Sequence, residues 1–321
     1  MPNLIKLNFV VSSSQSTYSR LDKILAQYIS LVSRSCIKKW ILLGYVSVNN
    51  IIVSIPKKKI FLNDHISVNV LKNFQFIEIK KENIFLDIIF KDSEILVLNK
   101  PPNLVVHLGY GHTSGTLLNS LMFHYKNNCM LPRAGIVHRL DKNTSGLLVV
   151  ARTIFSYHYL IGLFKRRRVI KEYDAIVIGR IEFNGTINVP IKRNIYNRTM
   201  MSVGIGGKQA ITHYKVITMF RNYTHIRIFI ETGRMHQIRV HISSILHPIF
   251  GDSIYSKGIK PNLLGYSKST YNLLLKFSRP ALHSSMLKFL HPITNKLQTW
   301  IVSPPVDMVQ LLHSLYSEDM K

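Results

Sequence analysis

Within "GIVHRLDKNTSGLLVVART", residues 135–153, one carboxylate, Asp141, stands between two cations, Arg139 and Lys142, just ahead of an apolar run. A carboxylate held in a turn can serve as a nucleophile, a general base or a counter-charge to positive charge developing on a substrate. An aspartate at such a place more often organises its own backbone through an Asx turn. The flanks favour chemistry here. "GIVHRLD" reads as a strand entering the turn and "GLLVVA" as one leaving it, so the acid is anchored on both sides. The adjacent cations make an electrostatic setting that suits a negative group.

Other candidate constellations are weaker. "GYGHTSGT", residues 109–116, has the glycines of a phosphate loop but fails the Walker spacing, and no Lys follows Gly115. "GIGGKQA", residues 204–210, satisfies G-x-G-x-x-A by letter, yet it leads toward the strand pattern "ITHYKV" and reads as a hairpin turn. Among 14 histidines, His236 and His241 are the closest pair in a recognisable motif. Five residues apart on a helix, they point in different directions with no supporting acid, so no metal site is expected. "TSG" at 144–146 lacks the flanking glycines of a nucleophile elbow. Cys36 and Cys129 are the only cysteines and form no CxxC, which excludes a disulfide framework and fits a reducing cytoplasm.

The elements that must hold Asp141 fall into two groups. From Leu21, the apolar residues Leu21, Ile24, Leu25, Tyr28 and Ile29 follow helical spacing, with Ser19 and Asp22 expected to form a capping box. A second helix is expected in "SRSCIKKWILLG", with Ile37, Trp40 and Ile41 inward and Gly44 ending it. The period then changes to two in "YVSV", "IIVSI" and "DHISVNV", with a turn at Asn49-Asn50. Arg20, Lys23, Arg34, Lys38 and Lys39 lie off the apolar stripes, on faces left for solvent or phosphate. That helix, helix, strand order with basic outer faces resembles the S4-type RNA-binding module over residues 17–75.

Residues 76–86 are read as a linker and 87–321 as a second, larger domain. Its β-branched runs "LDIIF", "EILVLN", "LVVHL", "LLVVAR", "EYDAIVIG", "THYKVI" and "HIRIFIET" alternate with helices in "TLLNSLMFHY", "FSYHYLIGLFKRR" and "HQIRVHISSI". The expected class is α+β, with a large mixed, mainly antiparallel sheet.

Lys and Arg number 42 against 16 Asp and Glu, a formal net charge of +26, which points to a polyanionic partner such as nucleic acid. The first residues lack the apolar core of a signal peptide, and no stretch reaches the ~18 apolar residues of a membrane span. A soluble cytoplasmic protein, monomeric and free of membrane contacts, is expected.

"HRLDKNTSGLL" resembles the central motif of the RluA-type pseudouridine synthases. "NKPPNLVVHLGYG", "KEYDAIV", "ETGRMHQIRVHISSILHPIFGD" and "RPALHSSML" resemble further segments of that family, in family order, so the likeness spans essentially the whole chain. The resemblance implies the pseudouridine synthase fold and isomerisation of uridine in RNA without a cofactor. It implies Asp141 as the catalytic carboxylate, Tyr173 as the active-site tyrosine that packs on the uracil and could accept a proton, and Arg239 as the cation paired with the aspartate. Without it, Tyr173 would read as a core aromatic and Arg239 as an exposed helix cation. Residues 105–121 look more like the D type of the family than the C type, implying large-subunit (23S) ribosomal RNA or a precursor ribosomal particle as partner. Asn143 and Met235 depart from that type and bear on target identity rather than on the reaction. The alternatives are a C-type or tRNA-directed enzyme, or a non-catalytic RNA-binding assembly factor. Arg139, the S4-face cations and "FKRRR" at 164–168 would meet RNA phosphates.

Overall fold

Alternation of buried and exposed residues accounts for the elements near the N-terminus. The computed structural model describes residues 4–12, 19–29, 32, 34–71, 79–109, 111–197, 199–256, 258 and 265–320. The chain divides into two units, one from residues 1–83 with 121–134, the other from 84–120 with 135–321. The expected start of the S4-like segment at 17–18, its last residues 72–75, the first residues of the linker, 76–78, and Tyr110 lie outside the described residues.

In the first unit, β1 (Leu4–Val10), β2 (Ser19–Arg20), α1 (Leu21–Tyr28), α2 (Arg34–Leu42), β3 (Val46–Val48), β4 (Ile51–Ile52), β5 (Lys59–Ile60) and β6 (His65–Leu71) follow in order. The sheet runs β1-β6-β3-β4, antiparallel throughout, and β2 pairs with β5. Leu21, Ile24, Leu25 and Ile29 of the helical stripe are buried together with Ile37, Trp40 and Ile41. Gly44 takes φ +77° after α2, and Asn49 and Asn50 both take positive φ in the β3–β4 hairpin, as a type I′ turn requires. The expected capping box does not form. Ser19 belongs to β2, Arg20 occupies the N-cap of α1 without a side-chain cap bond, and buried Asp22 instead accepts from Arg20 and Arg34. β1 went unread in the sequence, although "LIKLNFV" alternates with period two.

The second unit contains β7 (Ile88–Lys91), β8 (Ile95–Lys100), α3 (Leu117–His124, which continues into the first unit's residues), β9 (Ser145–Ala151), α4 (Ile154–Lys165), β10 (Ile170–Ile178), β11 (Gly185–Asn188), β12 (Ile191–Arg193), β13 (Met201–Val203), β14 (Ile211–Met219), β15 (Tyr223–Ile230), α5 (Gln237–Ser244), α6 (Lys268–Lys276), β16 (Leu282–Leu290), β17 (Leu297–Ile301) and α7 (Val306–Asp319). Among the described residues, nine strands form one sheet in the order β11-β14-β15-β10-β16-β9-β8-β7, with β17 beside β16. Only the β16–β9 contact is parallel, so the sheet is mixed and mainly antiparallel as expected. Every residue of β9 is buried, the pattern of a strand covered on both faces. One face packs Ile95, Val97, Leu147, Val149 and Ala151 against Leu160 and Leu163 of α4.

Two expected strands are absent. "LVVHL" makes only a bridge from Val105 to Thr116, because the Val105 and Val106 carbonyls accept the free N–H groups of Leu117 and Leu118 at the start of α3. "GIVHRLD" contributes a bridge from Ile136 to Val150 and then leaves the sheet. "GIGGKQA" does form a turn, closed by Gly207 N–H to the Gly204 carbonyl, after which Lys208 pairs back onto Ile191.

Candidate active site

The loop carrying Asp141 is fixed by side chains rather than by strand pairing on entry. Beyond its short parallel contact with β16, β9 needs another partner for its open edge, and His138 supplies one by accepting the Val149 N–H on Nε2 at 2.9 Å. The ring stacks on Phe164 of α4, with centroids 4.6 Å apart. Burial, followed by the charge of Lys171, pushes His138 down to about 3, so the ring stays neutral and Nε2 keeps its lone pair.

The turn itself closes through the backbone, Thr144 N–H to the Asp141 carbonyl at 3.1 Å, so the carboxylate is not spent on an Asx turn. Behind it, Lys100 at the end of β8 is 1% exposed. Its Nζ donates to the carbonyls of Pro101 (2.7 Å), Leu104 (3.0 Å) and Lys142 (3.0 Å), tying the loop to the strand end. Burial lowers the Lys100 pKa to about 7, Asp141 opposes the shift and Arg279 reinforces it. Gly146, φ +109°, completes the exit: a Cβ there would lie 2.3 Å from the Ser284 carbonyl oxygen, so only glycine lets β9 approach β16 this closely.

Arg139 and Lys142 are exposed and make no ion pair with Asp141 among the described residues; the charges that meet it come from elsewhere. Arg239, on α5 and 6% exposed, places Nη1 3.4 Å from Asp141 Oδ2. Its strongest bonds go to Asp252, from Nε at 2.6 Å and Nη2 at 2.7 Å, and its guanidinium lies over the Tyr255 ring at 5.0 Å. His236, the residue before α5, puts Nε2 3.9 Å from the same Oδ2. His241 faces elsewhere, bonded to Thr212 and the Val189 carbonyl.

Tyr173, on β10 opposite Ile228 of β15, is buried. Burial raises its hydroxyl above the ordinary phenol range, a hydrogen bond with Ser284 opposes this, and the charge of Asp141 adds to it. The structure therefore gathers Asp141, Tyr173 and Arg239 into one electrostatic neighbourhood in which Asp141 keeps 20% of its side chain exposed. Lys100, Asp252 and Tyr255 belong to it too and escaped sequence reasoning; His236, which the sequence offered only as a metal ligand, belongs to it as well. All but Tyr255 lie in segments that carry family likeness, and that likeness was the available signal. In the first unit Lys23, Lys38 and Lys39 are exposed, whereas Arg20 and Arg34 are half-exposed and bound to Asp22 at 2.9 and 3.0 Å.

The family model described as RNA pseudouridylate synthase matches residues 94–244, and the S4 domain model matches residues 19–66. Ribosomal large subunit pseudouridine synthase D of Buchnera aphidicola subsp. Acyrthosiphon pisum is 47% identical over 308 residues, covering 96% of this chain and 98% of that protein. The protein of the same name from Haemophilus influenzae is 41% identical over 299 residues, 93% of this chain and 92% of its own length. Among solved structures, Human RNA Pseudouridylate Synthase Domain Containing 4 superposes with a TM-score of 0.56 at 25% identity, covering 72% of this chain and 93% of that one.

Proposed function

Because the chain belongs to the RNA pseudouridylate synthase family, we propose that it converts specific uridines of large-subunit ribosomal RNA to pseudouridine, with Asp141 as the reacting carboxylate. The observation that carries this reading is the convergence on Asp141: a partly open carboxylate on a tethered loop, faced by Arg239 and within the electrostatic reach of Tyr173. The reaction breaks the N1–C1′ bond, turns the uracil and joins C5 to C1′; N1 gains a proton and C5 loses one. An ionised carboxylate can attack C1′, add to C6 of the base or take the C2′ proton, and each route begins from the same charged oxygen. Arg239 attracts that charge and offsets its repulsion with RNA phosphates.

A target uridine must leave its stack at a cost of a few kcal/mol. Stacking on Tyr173 returns about 1–3 kcal/mol. Burial and the charge of Asp141 raise the Tyr173 hydroxyl, so the phenol is neutral, and final removal of the C5 proton falls to Tyr173 or to the carboxylate. Lys23, Lys38, Lys39, Arg139 and the exposed cations Lys165 to Arg168 are the phosphate contacts of this reading, with Arg20 and Arg34 contributing from their positions beside Asp22. Residues 17–75 act as the RNA-gripping module, 76–86 as linker and 87–321 as the catalytic part. The protein works as a cytoplasmic monomer; no described helix is long and apolar enough to cross a membrane. Mapping pseudouridines in cellular RNA with and without the gene tests the reading. Loss of a few large-subunit sites supports it, loss confined to tRNA reassigns the target, and an unchanged map contradicts it.

A further inference from the structure

Arg239 is not alone in facing Asp141. His236 takes φ +54°, an uncommon backbone state for a residue with a side chain, and this sets its ring between two polar groups. Nδ1 lies 2.8 Å from the Tyr255 hydroxyl oxygen and Nε2 lies 3.9 Å from Asp141 Oδ2. The same Tyr255 oxygen accepts the Met201 backbone N–H at 2.8 Å.

These contacts determine where the imidazole proton sits. A phenol carries a single proton. The Met201 N–H occupies one acceptor site of the Tyr255 oxygen, and among the described residues Nδ1 is the one acceptor within reach of the phenol proton, so the arrangement that leaves no proton unbonded makes Nδ1 the acceptor. A neutral ring with an acceptor Nδ1 holds its hydrogen on Nε2, the atom turned toward the carboxylate. Both ends of the ring thus select one tautomer. Burial lowers the His236 pKa most; Asp141 and Asp252 oppose this, Arg239 and Arg139 add to it, and the net shift is downward, which keeps the ring neutral. Arg239 and His236 both approach Oδ2, and among the described residues no hydrogen bond or ion pair reaches Oδ1.

We propose that His236 is a positioning residue for Asp141: fixed as the Nε2–H tautomer by the Met201 to Tyr255 chain, it donates toward one carboxylate oxygen and leaves the other to react. This rests on the assignment of Asp141 made above. A separation of 3.9 Å exceeds a hydrogen bond, so the proposal requires the Nε2–H donor to close on Oδ2 during the reaction.

The test uses the full-length protein, unmodified large-subunit RNA and two readouts. In single-turnover assays His236→Leu slows the chemical step roughly tenfold or more with RNA affinity unchanged, whereas His236→Gln, whose amide can donate from a similar place, stays within about threefold of the parent. Tyr255→Phe slows the parent but has no further effect in the His236→Gln background. In ¹⁵N-histidine NMR at neutral pH, the ring signals lost in His236→Gln show the Nε2–H pattern. Equal rates for His236→Leu and His236→Gln, additive effects of Tyr255→Phe, or an Nδ1–H or doubly protonated ring would overturn the proposal. An inactive parent protein would instead count against the proposed function, and the NMR pattern would still decide the tautomer.

Discussion

Arg239 gives two guanidinium nitrogens to Asp252, at 2.6 and 2.7 Å, and presents the third to Asp141 at 3.4 Å. Asp252 is itself fixed, accepting the backbone N–H groups of Ile254 and Tyr255. The fork is therefore aimed by one acid and used on another, a division of labour that lysine, with a single ammonium, cannot reproduce.

Asp252→Ala leaves a buried guanidinium without its main counter-charge. Losing one partner of a buried pair costs about 3–5 kcal/mol. Denaturant unfolding should show a loss of that size, and the chemical step should slow because Arg239 swings toward Asp141. A change below about 1 kcal/mol with unaltered turnover contradicts the account.

Lys100→Met removes the tie between β8 and the Asp141 loop and strands three carbonyls. Turnover should fall while RNA affinity holds. Stability against pH gives a second check. The unfolded Lys100 keeps its proton to about 10.5 and the folded one only to about 7, so between those values the unfolded state binds more protons. The parent should gain stability relative to Lys100→Met as pH rises from 7 toward 10, by on the order of a few kcal/mol.

His138 works only as a neutral acceptor for Val149. Its folded value of about 3 lies below the ordinary 6.5, so its contribution is present above pH 6.5 and is lost as pH falls toward 3. Acid titration of the parent against His138→Gln should show a steeper loss in the parent across that window; identical curves would contradict the assignment.

Much of this was legible in the sequence because it rests on local pattern. The α1 stripe, the Asn49-Asn50 hairpin and the continuous apolar β9 follow from periodicity, and the sheet they imply is the one observed. What failed depends on tertiary partners. "GIVHRLD" has the composition of a strand, yet a side chain, His138, takes over the edge of β9. Ser19 and Asp22 had capping-box spacing, but two arginines drew Asp22 into the interior. His236 was weighed as a metal ligand because spacing carries no sign of a left-handed residue that turns its ring toward Asp141.

Gly146→Ala should be strongly destabilising despite adding a single methyl group. The new Cβ meets the backbone of Ser284, and β9 and β16 must part beside Tyr173. Thermal unfolding should shift down and activity should fall together; a fully stable, active variant would contradict the close approach.

The central claim concerns the Asp141 carboxylate, and release of tritium from C5-labelled uridine in unmodified large-subunit RNA measures it most directly. Asp141→Ala is predicted to release none above background while binding the RNA with the salt-dependent affinity of the parent. Continued release by that variant would contradict the account.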